Sequence, residues 1–193
     1  MVEFGVIHGR FQVLHNDHLK YLMSAKERCC HLVVGVTNPD PVLTKFDKAD
    51  SRRSTATANP LTYFERCTMI QNVFDEEGVN HRNYSIVPFP INFPELYEYY
   101  LPLNATFFLT IYDKWGKQKL EMFTRMGLIT EILWEKPLAQ KGINASEVRR
   151  LMAKNQTWEH LVPKAVERLM KEWEIPKRIK QLLPAKQAKS SGL

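Results

Sequence analysis

Two histidines lie close together near the start of the chain, where a strand pattern gives way to a helix pattern. The segment that carries them reads Gly9-Arg10-Phe11-Gln12-Val13-Leu14-His15-Asn16-Asp17-His18. His15 and His18 are three residues apart where the helix begins, so their imidazoles share one face. The free backbone N–H groups of a helix N-terminus favour an anion. The pattern predicts a phosphate site in which the imidazoles, as neutral donors or as imidazolium ions, stabilise charge developing on a phosphoryl group.

Other interpretations of the histidine pair are open at this point. The two side chains could simply lie on a solvated helix start, or form half of a zinc site with His8 or His31. No cysteine or acidic pattern of zinc spacing completes such a site. The chain also contains no G-x-x-x-x-G-K-[ST] segment, so its phosphate site is not a P-loop.

The net charge of +6, from 27 basic and 21 acidic residues, suggests an anionic partner. Five of the basic residues and no acidic ones fall between Ile175 and Leu193, which leaves the preceding residues nearly neutral. We therefore divide the chain into a domain at residues 1–174 and a basic tail at 175–193, with a short helix at Pro176–Leu183. A neutral domain argues against nucleic acid as the partner and favours a small anion.

Composition also bears on where the protein works. No stretch approaches the roughly 18 uncharged apolar residues that a membrane span needs, and the first residues lack the pattern of a signal peptide. The three cysteines, Cys29, Cys30 and Cys67, form no C-x-x-C pair, which is typical of free thiols. We expect a cytoplasmic protein without a membrane partner.

Strand and helix patterns alternate along the chain. The apolar runs predict strands at Val2–Ile7, His31–Val36, Tyr84–Pro88, Thr106–Ile111 and Leu128–Trp134. Helical patterns lie at Asn16–Cys29, Leu61–Glu77, Pro94–Tyr100, Trp115–Arg125, Ala145–Ala153 and Pro163–Glu172. This order predicts an α/β fold, a doubly wound parallel sheet of about five strands with C-terminal helices. Ligands of such sheets bind beyond the carboxyl ends of the strands, which is where the histidine segment begins.

The polar segment Thr37–Pro60 reads as one long loop. Its central part, residues 40–58, carries Lys45, Lys48, Arg52 and Arg53. A loop of this length is usually functional or disordered, so it is either a lid over a bound anion or an insertion with solvated charges.

The motifs together resemble the nucleotidyltransferase superfamily. The histidine segment is similar to its first motif, G-x-F-x-P-x-H-x-G-H, and Ile143–Arg149 is similar to its second motif, I-S-x-[ST]-x-x-R. Three more segments, at residues 59–66, 87–93 and 158–163, resemble the archaeal-type nicotinamide mononucleotide adenylyltransferases. The resemblance runs from about Phe4 to Arg178 and implies a Rossmann-like sheet.

In this superfamily an acceptor phosphate attacks the α-phosphorus of a nucleoside triphosphate and pyrophosphate leaves. The resemblance implies catalytic roles near the reacting phosphorus for His15, His18 and Arg149, the last as a bidentate partner of phosphate oxygens. It implies nucleotide-binding roles for a second set of residues, Gly9, Arg10, Phe11, Asn144 and Ser146. It also implies Mg²⁺ bound with the triphosphate. An arginine such as Arg66, on an amphipathic helix, is more often a solvated residue or part of an ion pair.

The sequence departs from the family at several places. Val13 replaces a proline and Asp17 replaces the glycine of H-x-G-H; this carboxylate could orient a histidine, help hold Mg²⁺ or cap the helix, and it would repel a phosphate. In the acceptor region Pro94 and Tyr97 stand where the archaeal enzymes have Asn and Trp near the nicotinamide. The expected acceptor-binding residues are Asn92, Tyr97 and Asp113.

Several functions therefore stay open. The leading hypothesis is an enzyme that transfers an adenylyl group from ATP to nicotinamide mononucleotide, and its alternative uses CTP with a small phosphate or phosphonate. A nucleotide sensor without activity is a second class, suggested by Asp17. An RNA-handling protein is a third, but the chain lacks a K-M-S-K-S-like loop. The partners are thus an NTP, ATP or CTP, and a small phosphate-bearing acceptor, with a homo-oligomer left open.

Overall fold

A parallel sheet forms the centre of the molecule. The computed structural model describes residues 1–44 and 55–183. Its strands are β1 (Val2–Gly9), β2 (Cys29–Thr37), β3 (Tyr84–Phe89), β4 (Thr106–Ile111) and β5 (Ile129–Glu135). They pair in the order β3-β2-β1-β4-β5, and every neighbouring pair is parallel. This arrangement confirms the predicted fold, and the chain changes direction across the sheet between β1 and β4, next to the histidine segment.

Helices cover both faces of this sheet. They are α1 (Asn16–Lys26), α2 (Tyr63–Glu76), α3 (Lys114–Arg125), α4 (Ala145–Ala153), α5 (Lys164–Glu172) and α6 (Ile175–Leu182). Short 3₁₀ turns lie between them at Ala56–Ala58, His81–Asn83, Pro94–Tyr99, Leu138–Gln140 and Glu159–Leu161. The stretch expected as a short helix before β4 is therefore a 3₁₀ helix.

Several element boundaries differ from the sequence prediction by one to three residues, and two of these differences have clear local reasons. Helix α1 ends at Lys26 rather than Cys29, because Cys29 already pairs with Val2 in the sheet. Helix α2 begins at Tyr63 rather than Leu61, because Thr62 caps it: the Thr62 hydroxyl accepts from the Glu65 N–H, and the Glu65 carboxylate accepts from the Thr62 N–H. Such reciprocal capping satisfies two otherwise unpaired donors and sets where a helix starts.

Side chains alternate across β1 and divide the core into two layers. Ile7 faces the layer built by α1, α2, α4, α5 and α6, whereas Val6 faces the layer closed by α3. In β4, Phe108 joins the first layer and Phe107 the second. This alternation is the period of two expected of a strand buried on both faces. It also decides which layer each residue at the end of β1 faces.

Helix α6 packs against the domain. Its Ile175 and Ile179 are buried in the same layer as α4 and α5, and Arg178 forms an ion pair with Glu65 of α2 (2.7 Å). The end of the basic tail, residues 184–193, lies outside the described residues, as do Lys45, Lys48, Arg52 and Arg53 of the long loop. Among the described helices, none has the length and apolarity needed to cross a membrane.

Arg66 of α2 is the largest side chain in the fully buried part of the core. Its guanidinium donates to the backbone carbonyls of Arg10 (3.0 Å), Thr37 (2.7 Å) and Asn38 (2.8 Å). Burial lowers the pKa of Arg66 to about 10, which leaves it charged at neutral pH. The expectation of a solvated or ion-paired arginine is therefore wrong: Arg66 ties the end of β2 to the segment after β1 through main-chain acceptors.

We expect Arg66→Met to lower the free energy of unfolding by about 3 kcal/mol, because several buried carbonyls would lose a charged donor. Urea denaturation measures this change. Arg168→Met is the matched control: Arg168 is exposed and donates to Asn72, so its loss should cost less than about 0.5 kcal/mol. Equal stability of the two variants would show that Arg66 does not hold these segments.

Candidate active site

A cavity of about 530 Å³ opens at the carboxyl ends of the strands. Four strands contribute to its lining: His8 and Gly9 of β1, Thr37 of β2, Thr110 of β4 and Trp134 of β5. The segment after β3 adds Asn92. The cavity thus lies at the point where strand order reverses, the position at which open α/β sheets bind ligands.

Most residues predicted for the site line this one cavity. They are Gly9, Arg10, Phe11, His15, His18, Asn92, Asp113, Asn144 and Ser146. Arg149 and Tyr97 do not line the cavity, and the side chains of both are buried.

The segment between β1 and α1 is buried and held by hydrogen bonds. Gln12 is 1% exposed, and its carboxamide forms two bonds with Leu61: Nε2 donates to the Leu61 carbonyl, and the Leu61 N–H donates to Oε1, both at 2.8 Å. Phe11 has a positive φ of 50°, and its ring lies so close to Gly9 that a Cβ there would be 2.9 Å from it. Glycine is thus required at position 9 for this approach.

His15 and His18 stack face to face at the start of α1. Their ring centroids are 3.7 Å apart with an interplanar angle of 25°. The backbone N–H of His15 donates to Nδ1 of His18 (3.4 Å), so the proton of a neutral His18 is on Nε2. The structure thus brings the two imidazoles together as the spacing predicted.

Both histidines are neutral at pH 7. Burial lowers the pKa of His15 to about 4, outweighing the opposite effect of Asp17, and Lys141 lowers it further. Burial also lowers the pKa of His18 well below its ordinary value, with further lowering by His15, Arg10 and Lys141. Of the two protonation states considered from sequence, the structure favours neutral imidazoles that act as hydrogen-bond donors.

The N-terminus of α4 faces the same cavity. Asn144 caps this helix, its Oδ1 accepting from the Glu147 N–H (2.9 Å), so its amide is engaged with the backbone. Helix geometry leaves the N–H groups of Ala145 and Ser146 without intrahelical acceptors, and both residues line the cavity. This end of the cavity can therefore bind an anion through main-chain donors and the Ser146 hydroxyl.

Arg149 connects α4 to the histidine segment. Its guanidinium donates to the Gln12 carbonyl and to the Ser146 Oγ (3.1 Å), and its side chain is buried. Burial, followed by the charge of Arg10, lowers the pKa of Arg149 to about 10, so it is charged at neutral pH. The bidentate contact with phosphate stays a prediction; in this structure Arg149 positions Ser146.

Asp17 joins the two motifs directly. Its Oδ2 accepts from the backbone N–H of Ile143 (2.7 Å), and Oδ1 accepts from the exposed Lys20 ammonium (3.3 Å). A Cβ on Gly142 would overlap Oδ2, so this contact requires glycine at position 142. The structure gives Asp17 a role that the sequence did not suggest: the carboxylate anchors the chain that leads into α4.

Tyr97 lies in the core, not in the cavity. It is fully buried between the rings of Phe89 and Phe123, and its hydroxyl donates to the Ile91 carbonyl (2.6 Å). The expectation that it contacts the acceptor is wrong for this structure, because its side chain is fully buried and does not line the cavity. Asp113 lines the cavity, but its carboxylate caps α3 through the Gly116 N–H (2.9 Å) and lies 3.7 Å from the Lys141 ammonium.

Among the lining residues that sequence reasoning did not assign to the phosphate site are three that can carry a charge, His8, Lys119 and Lys141. Lys119 follows Trp115 by four residues, so both lie on one face of α3, and Trp115 also lines the cavity. The spacing of four residues between Trp115 and Lys119 could have shown that both lie on the same face of this helix. No sequence signal marked His8 as a neighbour of Lys119, because their contact spans 111 residues of chain.

The comparison with known proteins agrees with this geometry. The sequence model described as cytidylyltransferase-like matches residues 6–151. The chain belongs to this family. A phosphonoformate cytidylyltransferase of Streptomyces viridochromogenes is 48% identical over 176 residues, covering 91% of this chain and 95% of that protein. A nicotinamide-nucleotide adenylyltransferase of Thermococcus sibiricus is 31% identical over 187 residues, covering 92% and 88%.

Solved structures support the fold. A bifunctional NMN adenylyltransferase/ADP ribose pyrophosphatase of Francisella tularensis superposes with a TM-score of 0.66 at 16% identity; the match covers 94% of this chain and 53% of that one. This cytidylyltransferase-like chain thus spans about half of the bifunctional protein. The family and its curated relatives confirm that the chain is an enzyme, a nucleotidyltransferase.

We expect Asp17→Ala to raise the KM for the nucleotide about tenfold, because the Ile143 N–H would lose its acceptor and the N-terminus of α4 its anchor. Asp17→Asn keeps an oxygen acceptor and should stay within about threefold of the wild type. Lys20→Ala, which removes the exposed partner of the same carboxylate, is the matched control. Steady-state kinetics decide the matter; identical KM values for Asp17→Ala and Lys20→Ala would contradict the anchoring role.

Proposed function

We propose that this enzyme transfers a cytidylyl group from CTP to phosphonoformate, or to a closely similar small phosphonate that bears a carboxylate. An oxygen of the phosphonate would attack the α-phosphorus of CTP, the bond from that phosphorus to the bridging oxygen would break, and pyrophosphate would leave. The observation that carries the proposal is the 48% identity, over nearly the full length of both chains, with a phosphonoformate cytidylyltransferase.

The acceptor side of the cavity supports a small acceptor. The archaeal enzymes have a tryptophan near the nicotinamide. In this chain the same position is Tyr97, whose side chain is buried in the core. Lys119 of α3 lines the cavity on this side, so the acceptor end offers a cation. The nicotinamide of the mononucleotide is itself a pyridinium cation, which an ammonium repels, whereas a carboxylate is attracted.

Neutral imidazoles fit the demands of this transfer. The neutral imidazoles of His15 and His18 would contact the oxygens of the α-phosphate, where charge develops in the transition state. The N–H groups that open α4, with Ser146, would hold the β- and γ-phosphates. The reaction needs in-line positioning more than covalent chemistry, which suits a rigid segment between β1 and α1.

Magnesium is expected with the triphosphate. Among the described residues, no group of three or more His, Cys, Asp and Glu side chains could hold a metal ion, and the Asp17 carboxylate is occupied by Ile143 and Lys20. These side chains do not form a metal site of their own. Any Mg²⁺ would be bound mainly by phosphate oxygens and water, as is usual for this ion.

Pyrophosphate release tests the proposal. The purified enzyme is assayed with each of CTP, UTP, GTP and ATP against phosphonoformate, methylphosphonate, inorganic phosphate and nicotinamide mononucleotide. We expect CTP with phosphonoformate to give a kcat/KM at least about 100-fold above every other pair, because each other pair leaves polar groups of the site unpaired. Preference for ATP with nicotinamide mononucleotide would instead establish the adenylyl transfer of the 31% relative.

A variant assigns the activity to this site. His18→Ala should lower kcat for CTP and phosphonoformate about 100-fold, the scale of losing one transition-state donor. His160→Ala is the matched control, because the His160 side chain is exposed and does not line the cavity. If His18→Ala releases pyrophosphate as fast as His160→Ala, His18 takes no part in the reaction.

A further inference from the structure

A buried histidine and a lysine meet on the side of the cavity opposite to α1. Lys119 of α3 approaches His8 of β1, with Nζ 3.3 Å from Nε2, and both residues line the cavity. His8 is 7% exposed and lies edge-on to the rings of Phe89 and Phe123. Because side chains alternate along β1, His8 faces the layer closed by α3, away from the helices that carry the other histidines.

The charge of this pair resides on the lysine. Burial, followed by the charge of Lys119, lowers the pKa of His8 well below its ordinary value, so the imidazole is neutral. An ammonium group can only donate hydrogen bonds, so Nε2 of His8 is the acceptor and the imidazole proton is on Nδ1. His8 therefore holds the Lys119 ammonium at the wall of the cavity without cancelling its charge.

The two ends of the cavity thus offer different chemistry. The end built by α1 and α4 presents the neutral imidazoles of His15 and His18 and the main-chain donors near Ser146. The end built by α3 presents a lysine ammonium, with Asn92 from the segment after β3 as a further lining residue. The first arrangement suits a chain of phosphates, and the second suits one compact anionic group.

We propose that Lys119, positioned by His8, binds the carboxylate of the acceptor. This inference rests on the proposed function, because it requires an acceptor with a second anionic group beside its phosphonate. When Lys119 binds the carboxylate of the acceptor, the phosphonate of the acceptor lies toward the α1 end of the cavity, where the α-phosphate is bound. Lys119 thereby selects the acceptor and orients it, and His8 is a positioning residue.

Substitution of the lysine tests the assignment. Lys119→Met keeps the length of the side chain and removes the charge; we expect the KM for phosphonoformate to rise about 100-fold and the KM for CTP to change less than about twofold. The preference for phosphonoformate over methylphosphonate, which lacks the carboxylate, should fall from about 100-fold to near one. Lys117→Met is the matched control, since Lys117 is exposed, pairs with Glu135 and does not line the cavity.

Two variants of His8 separate positioning from packing. Gln can place an oxygen acceptor near the position of Nε2, so His8→Gln should retain a KM for phosphonoformate within about fivefold of the wild type. His8→Phe fills similar space without an acceptor and should resemble Lys119→Met. Thermal unfolding of each variant shows whether it is folded. If His8→Phe is folded and keeps the wild-type KM, His8 does not position Lys119.

The possible failures are distinguishable. If the wild-type enzyme does not turn over CTP with phosphonoformate, the proposed function fails. If the wild type is active and Lys119→Met matches Lys117→Met, only the role of Lys119 is overturned. If Lys119→Met raises the KM for CTP and leaves that for phosphonoformate unchanged, the lysine serves the triphosphate instead.

Discussion

The site depends on one buried segment, the turn between β1 and α1, which is held by hydrogen bonds between side chains and main-chain groups. Gln12 bonds to both backbone groups of Leu61, Arg66 donates to the Arg10 carbonyl, and Arg149 donates to the Gln12 carbonyl. Leu61 lies just before α2, Arg66 lies on α2 and Arg149 lies on α4, so two distant parts of the chain hold the turn in place. A fixed turn places His15 and His18 before any ligand binds, and such preorganisation lowers the cost of positioning the reacting groups.

In the function proposed here, the two faces of the same sheet have different parts in the reaction. Residues on the α1 side are neutral donors and helix N–H groups, whereas the α3 side carries the Lys119 ammonium held by His8. Asp17 adds a direct tie between the two sequence motifs, through the N–H of Ile143 and the space that Gly142 leaves open. The nucleotide would bind on the α1 side of the β1–β4 junction, and a small acceptor with two anionic groups would bind on the α3 side. Their reacting groups would meet between the two sides.

Much of this could be predicted from local sequence patterns. The parallel sheet follows from apolar runs that alternate with helical periodicity, and the histidine pair follows from a spacing of three residues at a helix start. Features that depend on contacts between distant parts of the chain could not be predicted. Tyr97 is buried because Phe89 and Phe123 enclose it, Arg66 bonds carbonyls nearly thirty residues away, and His8 meets Lys119 across the sheet. The structure also shows Arg149 bound to the protein, where its motif implied phosphate.

The most direct test is a crystal structure of the enzyme with a non-reactive analogue of CTP and phosphonoformate. The triphosphate should lie against His15, His18 and the N-terminus of α4, and the carboxylate of phosphonoformate should lie within hydrogen-bond distance of Lys119 Nζ. The phosphonate should face the α-phosphorus in line with the leaving pyrophosphate. A triphosphate bound by Lys119, or phosphonoformate bound outside this cavity, would contradict the division of the site between the two faces of the sheet.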